Sequence, residues 1–507
     1  MANVPQNGMS NHKASNHKAL GAQSARGGML MLVSQAAVFG TNFCGIVILA
    51  RLLSPQEFGI MAMASTVANF IMMFRDFGLT TPVLQRKELS QQQMSALYWM
   101  NVAFGIALTA ITVGLAPVFA WFYGEEELTT IVAVLASGFL IGTTGAMQDA
   151  LLRRNMKYKL LATIRILSSV IALGSGIAAA WSGYGIWALV IMRLVQQAVL
   201  GLGSWIASPW RPSRFQGATD MRRLLGTAGH VSGSQLAGYL SRNVDNVLIG
   251  WHWGSHALGL YDQAYRLLLF PMQQLGAPLN SVMLPLLSRL VDDPVAYRAT
   301  YRRVTEKLVM ITMPLTCLML VLPDVIVRTA LGTQWAEAAP IVSWLGVAMI
   351  YQPLAFTTNC LLISQNRSRL LLRNSLISAG LSIASFVVGL PFGPIGVAAA
   401  YALSGLVIRM PFTFWQVGRE GPVSMSDQLR LFIPSIWSGV ILMSVFYGLR
   451  SVDMLQDNHL LLLAAAGLVA LPVTTLALAV LPSGRALMSD SIAMTRLAVS
   501  RHSKGLA

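Results

Sequence analysis

Apolar runs of about 20 residues recur along this chain, and each is long enough to cross the roughly 30 Å hydrocarbon core of a bilayer as an α-helix. The runs extend from Met29 to Leu481. Hydrophobic residues make up 55% of the chain and charged residues only 11%, whereas a soluble domain carries about 25% charged residues. We therefore predict an all-α polytopic membrane protein, and this class excludes soluble enzymes, nucleic-acid-binding proteins and disordered scaffolds.

Hydropathy and helix-breaking residues together predict about fourteen transmembrane helices. The predicted spans are 29–50, 58–74, 97–120, 129–148, 163–181, 185–206, 228–250, 260–288, 308–323, 339–364, 371–390, 395–416, 431–449 and 460–481. The seventh and eighth carry Arg242, Asp245 and Arg266. We therefore expect these two helices to face protein or water rather than lipid.

The 36 lysines and arginines are distributed asymmetrically between the loops. If the N-terminus is cytoplasmic, 30 of them fall in cytoplasmic loops and tails, Arg409 among them, and only four in the opposite loops. Basic residues concentrate on the cytoplasmic side of membrane proteins, so we predict a multi-pass membrane protein with both termini cytoplasmic. The net charge of +16 then indicates contact with anionic lipid, and no nucleic acid is expected as a partner.

Short matches relate the two halves of the chain. A shift of 200 residues places Ile48–Ala50 on Leu248–Gly250, and a shift of 211 residues places 185–186 on 396–397. An even number of helices in each half makes the halves parallel repeats. We therefore expect a disordered cytoplasmic tail (1–28), an N-terminal six-helix lobe (29–206), an inter-lobe linker (207–227), a C-terminal six-helix lobe (228–417), two additional helices (418–482) and a cytoplasmic tail (483–507).

Motifs that carry catalytic or nucleotide chemistry are missing from the sequence. It contains no phosphate-binding loop of the G-x-x-x-x-G-K-[ST] type, no G-x-S-x-G, no H-E-x-x-H and no C-x-x-C. His252 and His256 are spaced for a metal, but Gly254 lies between them and no acidic third ligand is near in sequence, which favours an interfacial pair without metal. We predict that the chain is not an enzyme and needs no cofactor.

Ionisable residues at membrane depth are the candidate functional residues, because each costs roughly 2.5–3.5 kcal/mol to insert. Arg242, Asp245 and Asn246 share one face of span seven at spacings i, i+3 and i+4. The arginine could bind a phosphate group in a cavity, or it could form a self-neutralising structural pair with the aspartate. Arg193 in span six is a second candidate, and Asn42 occupies the position of Arg242 under the 200-residue shift.

Several motifs of the sequence together resemble those of a known family. The paired signature is Leu-Ser-Arg-Asn-Val-Asp-Asn-Val-Leu-Ile-Gly (240–250) with Ala-Leu-Gly-Leu-Tyr-Asp-Gln-Ala-Tyr-Arg (257–266). Further matching segments are Ala-Arg-Leu-Leu-Ser-Pro-Gln-Glu-Phe-Gly (50–59), Leu-Leu-Arg-Arg-Asn-Met (151–156), Pro-Met-Gln-Gln-Leu (271–275) and Leu-Pro-Leu-Leu-Ser-Arg-Leu (284–290). Over roughly residues 29–420 the chain resembles the Wzx-type flippases of the multidrug/oligosaccharidyl-lipid/polysaccharide exporter superfamily.

This resemblance implies a protein of the bacterial inner membrane that flips an undecaprenyl-diphosphate-linked oligosaccharide from the cytoplasmic to the periplasmic leaflet, for exopolysaccharide or lipopolysaccharide assembly. It also implies alternating access driven by an ion gradient. It makes Arg242, Asn246, Asn42 and Arg193 candidate substrate contacts and Asp245 a candidate ion-coupling residue. A polysaccharide polymerase and export machinery would be its partners.

Two alternatives stay open. One is an exporter of the same superfamily for the peptidoglycan lipid precursor or for drugs. The other is a membrane-embedded polymerase or ligase, for which we would expect a larger external loop with catalytic Arg or His.

Overall fold

The computed structural model describes residues 30–31, 33–75, 83, 90–214, 221–419, 421–456, 458–480 and 485. Every regular element within these residues is a helix. The predicted N-terminal tail lies outside the described residues, as does the C-terminal tail apart from Arg485. Contacts divide the chain into two compact units, 1–240 and 241–507. Their boundary lies C-terminal to the predicted linker 207–227, so the lobe limits given above stay a prediction.

The N-terminal unit is built from six helices that precede a long seventh one. These are α1 (Val33–Leu52), α2 (Pro55–Arg75), α3 (Gln91–Tyr123), α4 (Glu127–Arg154), α5 (Tyr158–Trp181) and α6 (Trp187–Ala207). Helix α4 packs against both α3 and α6. It comes closest to α6 at Gly145, where a Cβ atom would lie 2.6 Å from the Cα atom of Gly201. Small residues allow such close helix contacts in membranes, where packing rather than water exclusion drives helix association.

The seventh helix, α7 (Met221–Ser288), is helical throughout except at Gly254, where φ is 77° and ψ is −174°. The hydroxyl of Tyr261 lies 3.0 Å from Oδ2 of Asp245, 16 residues earlier. A straight α-helix would separate these residues by about 24 Å. The chain therefore reverses direction at Gly254, and the two arms of α7 correspond to the predicted spans 228–250 and 260–288.

The remaining helices belong to the C-terminal unit. They are α8 (Pro294–Val321), α9 (Pro323–Ala330), α10 (Ala339–Ser364), α11 (Ser368–Gly389), α12 (Gly393–Ser404), α13 (Met410–Gly418), α14 (Met425–Arg430), α15 (Phe432–Arg450), α16 (Asp453–Gln456) and α17 (His459–Val480). A π-helix, Gly405–Arg409, joins α12 to α13. The core of this unit forms where α10 packs against α8 and α12.

The turns after α4 and after α10 share one backbone geometry. Met156 (φ 52°) and Asn366 (φ 55°) are both left-handed and lie 210 residues apart. The next amide donates in the same way in each turn, from Lys157 to the carbonyl of Leu152 and from Arg367 to the carbonyl of Leu362, at 3.0 Å in both cases. Two halves related as parallel repeats would have such a matched pair of turns.

Ten helical stretches among the described residues are long and apolar enough to cross a membrane. One of them, Ser368–Gly418, contains the two predicted spans 371–390 and 395–416. The chain is therefore an all-α, multi-pass membrane protein. Every predicted span overlaps a helix, but α2 and α7 are not among the ten. The count of fourteen spans accordingly stays a prediction.

Candidate functional site

Asp245 is a buried carboxylate in the first arm of α7, with a side chain 3% exposed. Its Oδ2 accepts a hydrogen bond from the hydroxyl of Tyr261 at 3.0 Å, and its Oδ1 accepts one from the backbone N–H of Asn246 at 2.9 Å. The reversal at Gly254 brings Tyr261 opposite Asp245. A charge buried in an apolar region is tolerated only when it is hydrogen-bonded or paired, and these two donors meet that need.

Of the three residues expected to share a face of span seven, the structure gives Asp245 an identified side-chain partner, Tyr261. Asn246 is partly buried and contributes its backbone N–H. The backbone of Arg242 lies in α7, but its side chain lies outside the described part of the structure. The choice between a phosphate contact and a structural pair with Asp245 therefore stays as open as the sequence left it.

A row of tyrosines continues from this carboxylate. The ring of Tyr261 stacks on that of Tyr265, with centroids 6.0 Å apart and planes 15° apart. The side chain of Tyr265 interacts in turn with that of Tyr401 on α12. The Tyr401 hydroxyl also accepts a hydrogen bond of 3.1 Å from Nε2 of Gln352. Phenol groups can donate and accept at the same time, so this row forms a polar path through the interior of the C-terminal unit.

The far end of the row is Arg409, which the charge count assigned to a cytoplasmic loop. That assignment is wrong, because Arg409 is the last residue of the π-helix Gly405–Arg409 rather than part of a loop, and it is only 9% exposed. Its guanidinium donates to the Ser382 hydroxyl at 2.6 Å, to the Tyr351 hydroxyl at 2.8 Å and to the Tyr401 carbonyl at 2.6 Å. It also lies 4.3 Å from the centre of the Tyr401 ring, a favourable cation–π distance.

The C-terminal unit thus buries a carboxylate and a guanidinium that are joined by tyrosines. Nε of Arg409 is buried and has no hydrogen-bond partner among the residues that the structure describes, and π-helical insertions such as Gly405–Arg409 occur frequently at functional sites. Sequence reasoning missed Tyr261, Tyr401 and Arg409. Arg409 lies within the predicted span 395–416, so the criterion that selected Arg193 would also have selected it. Tyr261 lies in the motif 257–266, but its spacing does not indicate that it contacts Asp245, and no local pattern in the sequence marks Tyr401.

Arg193 in the N-terminal unit is half-buried on α6 and donates from Nη2 to Oδ1 of Asn69 on α2 at 2.8 Å. This hydrogen bond ties α6 to the neighbouring helix α2. Asn42 lies on α1 with an exposed side chain.

The histidine pair at the reversal of α7 contacts other groups. Nε2 of His256 lies 3.3 Å from Oε2 of Glu337, and both side chains are exposed. The centre of the His252 ring lies 5.9 Å from that of Trp251 and 5.7 Å from that of Trp253. No group of three possible metal ligands occurs among the residues that the structure describes.

Comparison with known proteins identifies a matching family, similar sequences and a similar structure. A family model described as "Polysaccharide biosynthesis protein" matches residues 48–340. The chain is 27% identical to the teichuronic acid biosynthesis protein TuaB of Bacillus subtilis (strain 168), over 59% of this chain and 63% of TuaB. The alignment thus spans slightly less than two thirds of that relative.

A second relative is matched over more of its length. The chain is 21% identical to the lipopolysaccharide biosynthesis protein WzxC of Escherichia coli (strain K12), over 80% of this chain and 82% of WzxC. Among solved structures, the Lipid II flippase MurJ in an inward closed conformation superposes with a TM-score of 0.69 at 14% identity, covering 89% of this chain and 98% of MurJ. At this identity the superposition shows a shared fold.

Proposed function

Because the chain belongs to the family of polysaccharide biosynthesis proteins, we propose that it flips an undecaprenyl-diphosphate-linked oligosaccharide repeat unit across the bacterial inner membrane. Movement is from the cytoplasmic to the periplasmic leaflet, by alternating access. The observation that carries this proposal is the buried polar row from Asp245 to Arg409, in a helical membrane protein that shares its fold with MurJ. Charged groups at this depth are costly and mark transport pathways.

The chemistry of the cargo supports this proposal. A diphosphate and a string of sugars are expensive to bring into hydrocarbon unless protein groups replace their water, whereas a polyprenyl tail is stable in lipid. Cationic side chains recognise phosphate oxygens. We assign Arg193, Arg242, Asn246 and Asn42 as contacts of the headgroup during its passage.

Asp245 is our candidate for coupling transport to an ion gradient. Its charge is stabilised by neutral donors, Tyr261 and the Asn246 N–H. A proton or a small cation that reaches Asp245 would change the charge of the row while leaving those donors in place. Among the described side chains, the charged and titratable groups around it are Tyr261, Tyr265 and Asp262 from the second arm of α7, with Tyr401, Tyr351 and Arg409 farther along the row.

We also propose that both termini are cytoplasmic. The distribution of basic residues supports this orientation. Labelling tests it: a single cysteine introduced by Ser182→Cys, in a chain without Cys44, Cys317 and Cys360, should react with a membrane-impermeant maleimide added to intact spheroplasts. Reaction only after permeabilisation would reverse the orientation.

The decisive experiment follows the lipid-linked oligosaccharide in a deletion strain of the native host. Loss of a flippase strands complete single repeat units in the cytoplasmic leaflet, and the wild-type gene restores their export. Single units that reach the outer leaflet without being polymerised would instead indicate a polymerase or ligase. A strain with unchanged oligosaccharide pools would favour an exporter of peptidoglycan precursor or drugs and would refute the proposal.

A further inference from the structure

A cleft of about 590 Å³ opens at one end of the N-terminal unit. Its walls come from the α1–α2, α3–α4 and α5–α6 connections and the helix ends beside them. The volume is within the roughly 300–1,000 Å³ that is usual for small-ligand sites. In the proposed orientation these three connections are periplasmic, so the cleft is on the side where a flipped headgroup emerges.

One wall of the cleft is held rigidly by Glu57. Its Oε2 accepts from the backbone N–H of Ser54 at 2.6 Å and from the Ser54 hydroxyl at 2.8 Å, which forms a capping box at the start of α2. Its Oε1 lies outside that box and close to Gly185, where a Cβ atom would be 2.6 Å away. Gly185 also has a positive φ of 53°, so this position requires glycine both for its conformation and for the close approach of Glu57.

The other lining groups combine hydrogen-bonding and aromatic surfaces. Gln56 and Thr130 can each donate and accept, Glu127 accepts, and Tyr184 and Trp187 add aromatic rings. The Tyr184 side chain is 61% exposed. Sugar hydroxyls donate strongly to carboxylates, and the apolar faces of sugar rings pack on aromatic side chains, whose polar tips remain free to bond.

The negative charge of the cleft determines which classes of ligand it can bind. Glu57 and Glu127 line the cleft, and Glu125 and Glu126 precede the latter in the same connection. The two lining carboxylates, Glu57 and Glu127, repel phosphate, diphosphate and acidic sugars. A metal ion is disfavoured because one oxygen of Glu57 is occupied by Ser54 and because the described residues contain no cluster of three ligands.

We propose that this cleft is a saccharide-binding site that holds the uncharged part of the headgroup as it leaves the transporter. The role of this site in export rests on the proposed function, whereas the binding of a saccharide to the cleft does not. Because its carboxylates repel a diphosphate, it takes the sugars rather than the lipid-linked end, and it shares no residue with the buried row described above.

Saturation-transfer NMR on the full-length chain in nanodiscs tests the proposal. The probe is the oligosaccharide released by partial acid hydrolysis of the host's own extracellular polysaccharide. We expect saturation transfer to its ring protons, with binding weakened roughly fivefold or more by Glu127→Gln, which replaces a charged acceptor by a neutral one. Tyr184→Ala should weaken binding by a similar factor. Inorganic pyrophosphate should not compete.

Two matched variants serve as controls. Glu126→Gln removes the neighbouring exposed carboxylate, which does not line the cleft, and Tyr447→Ala removes an aromatic side chain of nearly equal exposure (60%) on α15. Neither should change binding. Equal binding by all four variants and the wild type, or competition by pyrophosphate, would overturn the proposal. A third outcome is also informative. If the cleft variants lose binding but deletion of the protein strands no lipid-linked sugar in the cytoplasmic leaflet, the saccharide-binding site is confirmed and the flippase function is refuted.

Discussion

The contact between Tyr261 and Asp245 can be tested by a double-mutant cycle. Both side chains are almost fully buried, at 0% and 3% exposed, and the hydroxyl lies 3.0 Å from the carboxylate. A hydrogen bond to a charged group is worth about 1.5–3 kcal/mol. Tyr261→Phe removes the hydroxyl alone and leaves Oδ2 without this donor, so we expect a loss of about 2 kcal/mol in the free energy of unfolding.

The second mutation of the cycle, Asp245→Leu, replaces the carboxylate by an apolar side chain of similar size. In that background the Tyr261 hydroxyl loses its acceptor, so Tyr261→Phe should cost nothing or should stabilise slightly. We therefore expect a coupling energy of about 2 kcal/mol. Unfolding in mixed micelles, with SDS as denaturant and far-UV circular dichroism as the signal, measures all four proteins.

The control is Tyr301→Phe, another fully buried tyrosine, whose hydroxyl contacts Thr357 instead. Its effect should be the same with Asp245 or leucine at position 245, because mutations without a shared partner add. A coupling energy below about 0.5 kcal/mol between Tyr261→Phe and Asp245→Leu would contradict the account. The hydroxyl would then not stabilise the carboxylate, and the row of tyrosines would lose its first member.

Three further predictions concern the fold. Gly145→Ala should destabilise the N-terminal unit by about 1–3 kcal/mol, because the new methyl group meets the backbone of Gly201; Gly114→Ala, with no atom within 4 Å, is the neutral control, and SDS unfolding compares the two. Met156→Asn should raise thermal stability in detergent by one to a few degrees, since asparagine tolerates the left-handed conformation better than methionine. Arg409→Lys keeps the charge but not the planar donor fork, so it should lower the melting temperature despite the conservative exchange.

Most of the fold could be predicted because the membrane imposes a simple rule on sequence. Each spanning helix must be apolar over its full crossing, so hydropathy alone located segments that overlap the observed helices. The same rule selected Asp245, because a charged residue within a predicted transmembrane span departs from it. The reversal at Gly254 was visible as a break between spans seven and eight, although the backbone departs from helical geometry at that glycine alone.

The remaining features depend on contacts that sequence spacing does not encode. Tyr261 and Tyr265 were in a motif that marked the resemblance, but tyrosine is common at membrane interfaces, and only the folding back of α7 gives Tyr261 its partner. Arg409 was misassigned because a count of loop charges extended into a span. The turn at Met156 lies in the loop predicted between spans 129–148 and 163–181, but methionine carries no signal for its left-handed conformation. Its equivalence to Asn366 appears only in the backbone angles.

The way in which the C-terminal unit holds its buried charges bears on transport. Among the described side chains, Asp245 and Arg409 are not paired with each other, and tyrosine hydroxyls contact both. A direct buried ion pair would neutralise the carboxylate permanently, and it would resist the entry of any other cation because separating the partners is costly. Neutral donors stabilise the carboxylate without cancelling its charge. Where Arg242 does not pair with it, Asp245 held by these donors retains its attraction for a proton or a small cation. The proposed coupling site of a transporter driven by an ion gradient requires this property.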